Sequence, residues 1–176
     1  MPPTEEGRAF VPVRIAVLTV SDTRTRENDT SGDILVQRLT DAGHVLADRA
    51  IVTDDVPAIR AQLQQWIEDR SIDAVISTGG TGLTGRDVTV EAIKPLFDKE
   101  IDGFSAIFHR ISYEKIGTST LQSRACAGVA GGTYIFALPG SNGAVKDGWD
   151  GILKYQLDIR HKPCNFVEIM PRLMET

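Results

Sequence analysis

Short apolar runs alternate with amphipathic stripes along most of this chain, and that alternation sets the expected fold. Residues 14–20, RIAVLTV, form a β-branched run of the kind buried on both faces of a parallel sheet. A polar loop follows to residue 28. Asp29-Thr30-Ser31-Gly32 then offers N-cap chemistry for a helix to residue 42, closed by Gly43. Residues 45–52 read as a second strand, and the charged Asp48 and Arg49 place it near a sheet edge. Asp54-Asp55-Val56-Pro57 opens the next helix, with Ile59, Leu63, Trp66 and Ile67 along one face. Residues 72–77 form a third strand that runs into a glycine-dense turn.

Beyond that turn the pattern predicts a short helix over residues 90–98, bent by Pro95, and another over 104–113. Residues 117–124 are polar and rich in hydroxyls. The small residues of 125–129 suit a strand, and 133–138 form a buried strand stopped by Pro139-Gly140. A last helix is expected over 144–160 and an extended segment over 164–170. This order implies the α/β class: a three-layer α/β/α domain with a mostly parallel open sheet. One domain over residues 13–170 is expected, between a flexible N-terminal segment, 1–12, and a C-terminal tail, 171–176. Ligands of such sheets sit beyond the carboxyl ends of the strands, where residues 21–32, 78–89 and 139–146 converge with Asp54.

Composition narrows the function without naming it. Across 176 residues the net charge is −5, which argues against a nucleic-acid partner. No apolar run approaches the roughly 20 residues needed to span a membrane, and residues 1–10 lack the apolar core of a signal peptide. Cys126 and Cys164 make no CxxC pair, and His44, His109 and His161 have no zinc-ligand spacing. A cytoplasmic enzyme or binding protein is the expectation.

Most of the chemistry lies in ISTGGTGLTGRDVTVEA, residues 76–92. Glycines after a strand permit positive φ and close backbone approach, so Thr78, Gly79, Gly80, Thr81 and Gly82 are read as an anion cradle. Asp87 lies just beyond. A carboxylate beside a phosphate is repulsive unless a cation lies between them, which points to a metal ion and to nucleotide chemistry. The literal GxGxxG of residues 80–85 matches a dinucleotide fingerprint poorly, because residues 86–89 intervene before the helix, and no Gly-Lys-Ser/Thr supports a P-loop. Each candidate has a plainer reading. Capping is the favoured role for the Asp54-Asp55 pair, Asp87 can bond nearby backbone, and Asp29 and Ser31 read as caps. Arg124 suits a phosphate or an ion pair with a neighbouring subunit. Gly140 and Ser141 suit a ligand or a strand-to-helix turn, and Lys146 a phosphate or solvent. Trp66 and Trp149 read as packing.

TGGTG with RDVTVEA, then IGTSTLQSRA, then LPGS resembles the MoaB/Mog family of molybdenum cofactor biosynthesis, over about residues 14–166. GTSTLQSR and KPCNF point to the MoaB branch. The resemblance implies a molybdopterin-binding domain that assembles as a homotrimer or a hexamer (a dimer of trimers) and contacts other cofactor-synthesis enzymes. Active members transfer AMP from Mg-ATP to the terminal phosphate of the pterin. Carried over, Asp54 and Asp87 become catalytic and Mg²⁺-binding. Thr78, Gly79, Gly80, Thr81, Gly82, Ser119, Ser123, Arg124, Pro139, Gly140, Ser141 and Lys146 become substrate- and phosphate-binding. Val90 and Asn142 stand where many relatives have proline, which alters loop stiffness and removes no charge. A catalytically silent molybdopterin binder is the rival expectation.

Overall fold

The computed structural model describes residues 4–176 and contains one six-stranded sheet in the order β2-β1-β3-β6-β5-β4. The strands are β1 Arg14–Val20, β2 Val45–Val52, β3 Ala74–Thr78, β4 Lys99–Glu100, β5 Cys126–Ala130 and β6 Thr133–Leu138. The first three and β6 pair in parallel, while β5 runs antiparallel to β6 and β4 antiparallel to β5. β2 lies at an edge, as its charged residues implied.

Alternation along the strands feeds two cores. Ile15 and Val17 point into one, with Leu35, Leu39, Phe104, Phe108 and Trp149. Ala16 and Leu18 point into the other, with Ile59, Leu63, Trp66 and Ile93. The first layer carries α1 (Thr30–Asp41), α4 (Asp102–Ile116) and α5 (Asn142–Gly148); the second carries α2 (Val56–Glu68) and α3 (Thr89–Ile93). The α/β/α arrangement is therefore the expected one. Because α1 returns to β2 over one face and α2 to β3 over the other, a crevice opens between the carboxyl ends of β1 and β3.

The helix starts follow the caps read from sequence. The Asp29 carboxylate accepts from Gly32 N at 3.1 Å, and Asp55 accepts from Ala58 N at 3.0 Å. Trp66 and Trp149 are buried.

Four local expectations are corrected. The helix after the glycine loop stops at Ile93, and Lys94–Leu96, containing Pro95, tightens into a 3-10 turn. The two-residue strand β4 follows, unforeseen because so short a strand carries no period. The last long helix does not reach residue 160: α5 passes through a π-helical turn, Trp149–Leu153, to the short α6, Lys154–Gln156. Beyond it the Asp158 carboxylate accepts from Arg160 N at 2.9 Å, a local bond that competes with helix. The expected extended segment instead contains α7, Phe166–Ile169. Asn165 caps it, accepting from Glu168 N while donating to Ile159 O and His161 O. Before β1, Glu5 N donates to Arg160 O, and the Phe10 ring lies 5.1 Å from that of His44.

Candidate functional site

The glycine loop is fixed by contacts that admit no side chain. Thr78 ends β3, fully buried, and its hydroxyl donates to Pro139 O at 3.1 Å. Gly79 takes φ +100°, and a Cβ there would collide with the Val20 carbonyl. Its N–H donates to Leu138 O and its carbonyl accepts from the Thr89 hydroxyl at 2.8 Å. Gly80, at φ +71°, has the Asp54 carboxylate against it, 3.1 Å from where a Cβ would stand. At Gly82 a Cβ would lie 2.6 Å from Asp87 Oδ2. Asp54 and Asp87, 33 positions apart in sequence, thus both press on the same loop.

With Asp55 capping α2, Asp54 is left for the crevice, half-buried. Its carboxyl is held above the usual range, first by burial and then by the negative charges of Asp22 and Asp87. Asp22 is a site residue to which sequence reasoning gave no role. One of its oxygens accepts from Asp54 N at 3.0 Å, and the other takes Nε and Nη2 of Arg86 at 3.0 and 2.7 Å. The Arg86 guanidinium lowers its pKa. This clamp ties the β1, β2 and β3 loops together. Its only sequence signal was an acidic residue in a loop leaving a parallel strand.

Asp87 Oδ2 accepts from Thr84 N at 3.0 Å and from the Thr84 hydroxyl at 2.7 Å, so the local backbone role is present. Oδ1 makes no such bond among the described residues. Arg124 donates from Nε to Gly82 O at 3.0 Å and Thr81 O at 3.3 Å, from Nη2 to Asp87 O at 3.4 Å, and pairs with Glu91. Its charge lies against the loop and its donors are spent on loop carbonyls. Glu91, in the first turn of α3, is a second residue without an assigned role in the sequence reading.

Across the crevice, Pro139, Ser141, Lys146 and Ser123 line a cavity of about 240 Å³ with Phe108 and Asp147. Gly140 packs on the loop, since a Cβ would stand 3.2 Å from Gly79 Cα. Ser141 caps α5, accepting from Ala144 N. Ser119 is exposed in the 3-10 turn Gly117–Gln122 and does not line this cavity.

The donors at the loop are carboxylate oxygens, the set preferred by a hard cation such as Mg²⁺. Among the described residues no three His, Cys, Asp or Glu side chains group closely enough to hold a metal alone. A cation there would draw further oxygens from a phosphate and water. A metal-plus-phosphate site at the carboxyl end of β3 is the chemistry this arrangement allows.

The family profile described as "Probable molybdopterin binding domain" matches residues 16–159. The chain belongs to this molybdopterin-binding family. Molybdenum cofactor biosynthesis protein B of Escherichia coli (strain K12) is 53% identical over 157 residues, covering 89% of this chain and 92% of that protein. The crystal structure of a molybdenum cofactor biosynthesis protein B superposes with a TM-score of 0.86 at 38% identity, covering 96% of this chain and 100% of the other. The tungsten cofactor synthesizing protein MoaB from Pyrococcus furiosus gives 0.72 at 39% identity, covering 81% and 91%. The family's place in molybdenum cofactor biosynthesis agrees with the resemblance carried by TGGTG, RDVTVEA and LPGS. No helix among the described residues is long and apolar enough to cross a membrane.

Proposed function

We propose that this chain binds molybdopterin and transfers AMP from Mg-ATP to the terminal phosphate of the pterin. The carrying observation is the placement of Asp54 and Asp87 against the same glycine loop, at Gly80 and at Gly82. An oxygen of the pterin phosphate, already ionised at neutral pH, attacks the α-phosphorus of ATP. The bond to the bridging oxygen breaks, and pyrophosphate leaves with that electron pair. No general base is required. The difficulty is bringing two polyanions together. Bound Mg²⁺ supplies charge neutralisation and in-line orientation of the phosphates. Asp54 and Asp87 are the residues to hold it. In support, burial and then the negative charges of Asp22 and Asp87 raise the Asp54 carboxyl above its usual range, and a cation relieves the repulsive part. The amides of Gly80, Thr81 and Gly82 orient phosphate, the Gly79 N–H being used by Leu138 O, and Arg124 places positive charge against the loop.

The rival, a silent molybdopterin binder, draws on the bonds from Thr84 to Asp87, which give that carboxylate a structural use. Incubation with molybdopterin, Mg²⁺ and ATP, followed by detection of adenylated pterin, separates the two. Absence of product under conditions where an active relative turns over rejects the transferase and leaves the binder. With product, Asp87→Asn is expected to reduce turnover at least about 100-fold with fold retained, because charge stabilisation of this kind contributes on that order; full turnover removes Asp87 from the mechanism. A homotrimer or hexamer in the cytoplasm completes the proposal. The exposed Ile107, Ile116 and Leu121 along α4 and the following turn support assembly, and light scattering of the purified chain tests it.

A further inference from the structure

The cavity beside the glycine loop contains a charge that phosphate chemistry does not explain. Asp147, on α5, is 9% exposed and lines this cavity together with Ser123 and Pro139. Its Oδ1 accepts from the Lys115 ammonium, and Oδ2 has no hydrogen-bond partner among the described residues. The Lys115 side chain is long and 62% exposed. The free oxygen is open to the cavity and can accept from a ligand that enters it.

The cavity's size and neighbours restrict that ligand. At about 240 Å³ it is smaller than the roughly 300 Å³ at which sites for whole drug-sized ligands begin, so it takes a flat ring rather than a complete nucleotide. Phe108 and Ile116 give it apolar walls. It shares the turn after β6 with the glycine loop, where the Thr78 hydroxyl meets Pro139 O and Gly140 packs on Gly79. A ring in the cavity can therefore carry its phosphate onto the loop.

Resting on the molybdopterin-binding reading above, we propose that Asp147 recognises the 2-amino-4-oxopyrimidine edge of the pterin and so selects the ring that enters this cavity. That edge presents two adjacent donors, the 2-amino N–H and N3–H, and an ionised carboxylate presents two adjacent acceptors and no donor. Adenine offers instead a 6-amino donor beside the N1 lone pair, which would face a carboxylate oxygen. The match is bidentate for pterin and half-repulsive for adenine. Lys115 neutralises the carboxylate before the ring arrives, and Asp147 is a specificity-determining residue.

The test compares 6-hydroxymethylpterin with 6-hydroxymethyllumazine, in which a 2-oxo group replaces the 2-amino group, by fluorescence titration of the full chain. Molybdopterin and ATP are titrated in parallel. The wild-type protein is expected to prefer the pterin by about tenfold, in the range observed when one bidentate pair distinguishes two bases. Asp147→Asn is expected to lose that preference and to weaken molybdopterin binding by a similar factor, with ATP affinity unchanged. Equal wild-type affinity for pterin and lumazine, with molybdopterin still bound, overturns the role of Asp147 and leaves the proposed function standing. Failure to bind molybdopterin rejects both. The wild-type comparison needs no substitution, so it decides the matter even if the Asn variant does not fold.

Discussion

Arg124→Lys isolates the contribution of the clamp beneath the glycine loop. The guanidinium makes one well-formed bond to Gly82 O, at 3.0 Å, and two longer ones to Thr81 O and Asp87 O. A lysine ammonium retains the charge and can keep the ion pair with Glu91, but its single nitrogen cannot span all three carbonyls. The Glu91 carboxylate is 51% exposed and the Arg124 side chain 31%, so the ion pair itself contributes only about 0–1 kcal/mol. The carbonyl bonds, one strong and two weak, are the larger part; at about 0.5–1.5 kcal/mol net for a typical bond, their loss is ~1–2 kcal/mol in all. For a chain of this size that lowers Tm by roughly 2–8 °C at fixed protein concentration. The paired measurement is hydrogen exchange. Amides of residues 82–89 are expected to exchange faster in Arg124→Lys, while those of β1 and β6 keep their protection. Glu91→Gln, which leaves the carbonyl bonds in place, is expected to change stability by no more than about 1 kcal/mol. Equal loss in the two variants, or unchanged exchange across the loop in Arg124→Lys, would refute the assignment of the guanidinium to the carbonyls.

Gly79→Ala forces a Cβ into the Val20 carbonyl at φ +100°, and is expected to cost at least about 2 kcal/mol in urea denaturation; a neutral result would mean the loop relaxes freely. Leu63→Ala empties a fully buried position under the sheet, and a loss of about 2–5 kcal/mol is expected in the same assay. His44 is buried, its Nδ1 accepts from Val13 N at 3.0 Å, and burial pushes its pKa down from the usual 6.5. Above pH 6.5 both folded and unfolded states hold it neutral. As pH falls below 6.5 the unfolded state binds the proton first and stability declines, so His44→Gln is expected to flatten the pH–stability curve on the acid side of 6.5. Cys164 is exposed, whereas burial lifts the Cys126 thiol to about 11. Mass spectrometry after brief alkylation at neutral pH is expected to find Cys164 labelled and Cys126 intact.

The β-branched strands, the caps at Asp29 and Asp55, and the loops at the carboxyl rim were legible in the sequence because each signal is carried by neighbouring residues. Period, propensity and capping chemistry act over a few positions, and they carried the α/β/α class through unchanged. The end of the chain was less legible. Asn165 caps α7 while bonding Ile159 O and His161 O, and Asp158 holds Arg160 N, so hydrogen bonds rather than hydrophobic period decide residues 157–169. Through-space pairs were not legible at all. Asp22 meets Arg86 across 64 positions, Glu91 meets Arg124 across 33, and Lys115 meets Asp147 across 32.

The glycine loop shows where the division falls. By itself the sequence determined that residues 78–82 form a glycine turn after a buried strand, with acidic residues on the loops nearby, because backbone permissiveness and strand pattern are local properties. It left open which of Asp54 and Asp55 caps the helix. Only the tertiary structure gave that role to Asp55, set Asp54 against Gly80 and Asp87 against Gly82, and tied Asp22 to Asp54 N and to Arg86. The reason is physical: a carboxylate's partners and pKa depend on the charges and burial that surround it in space, and parallel strands bring those together from loops far apart along the chain.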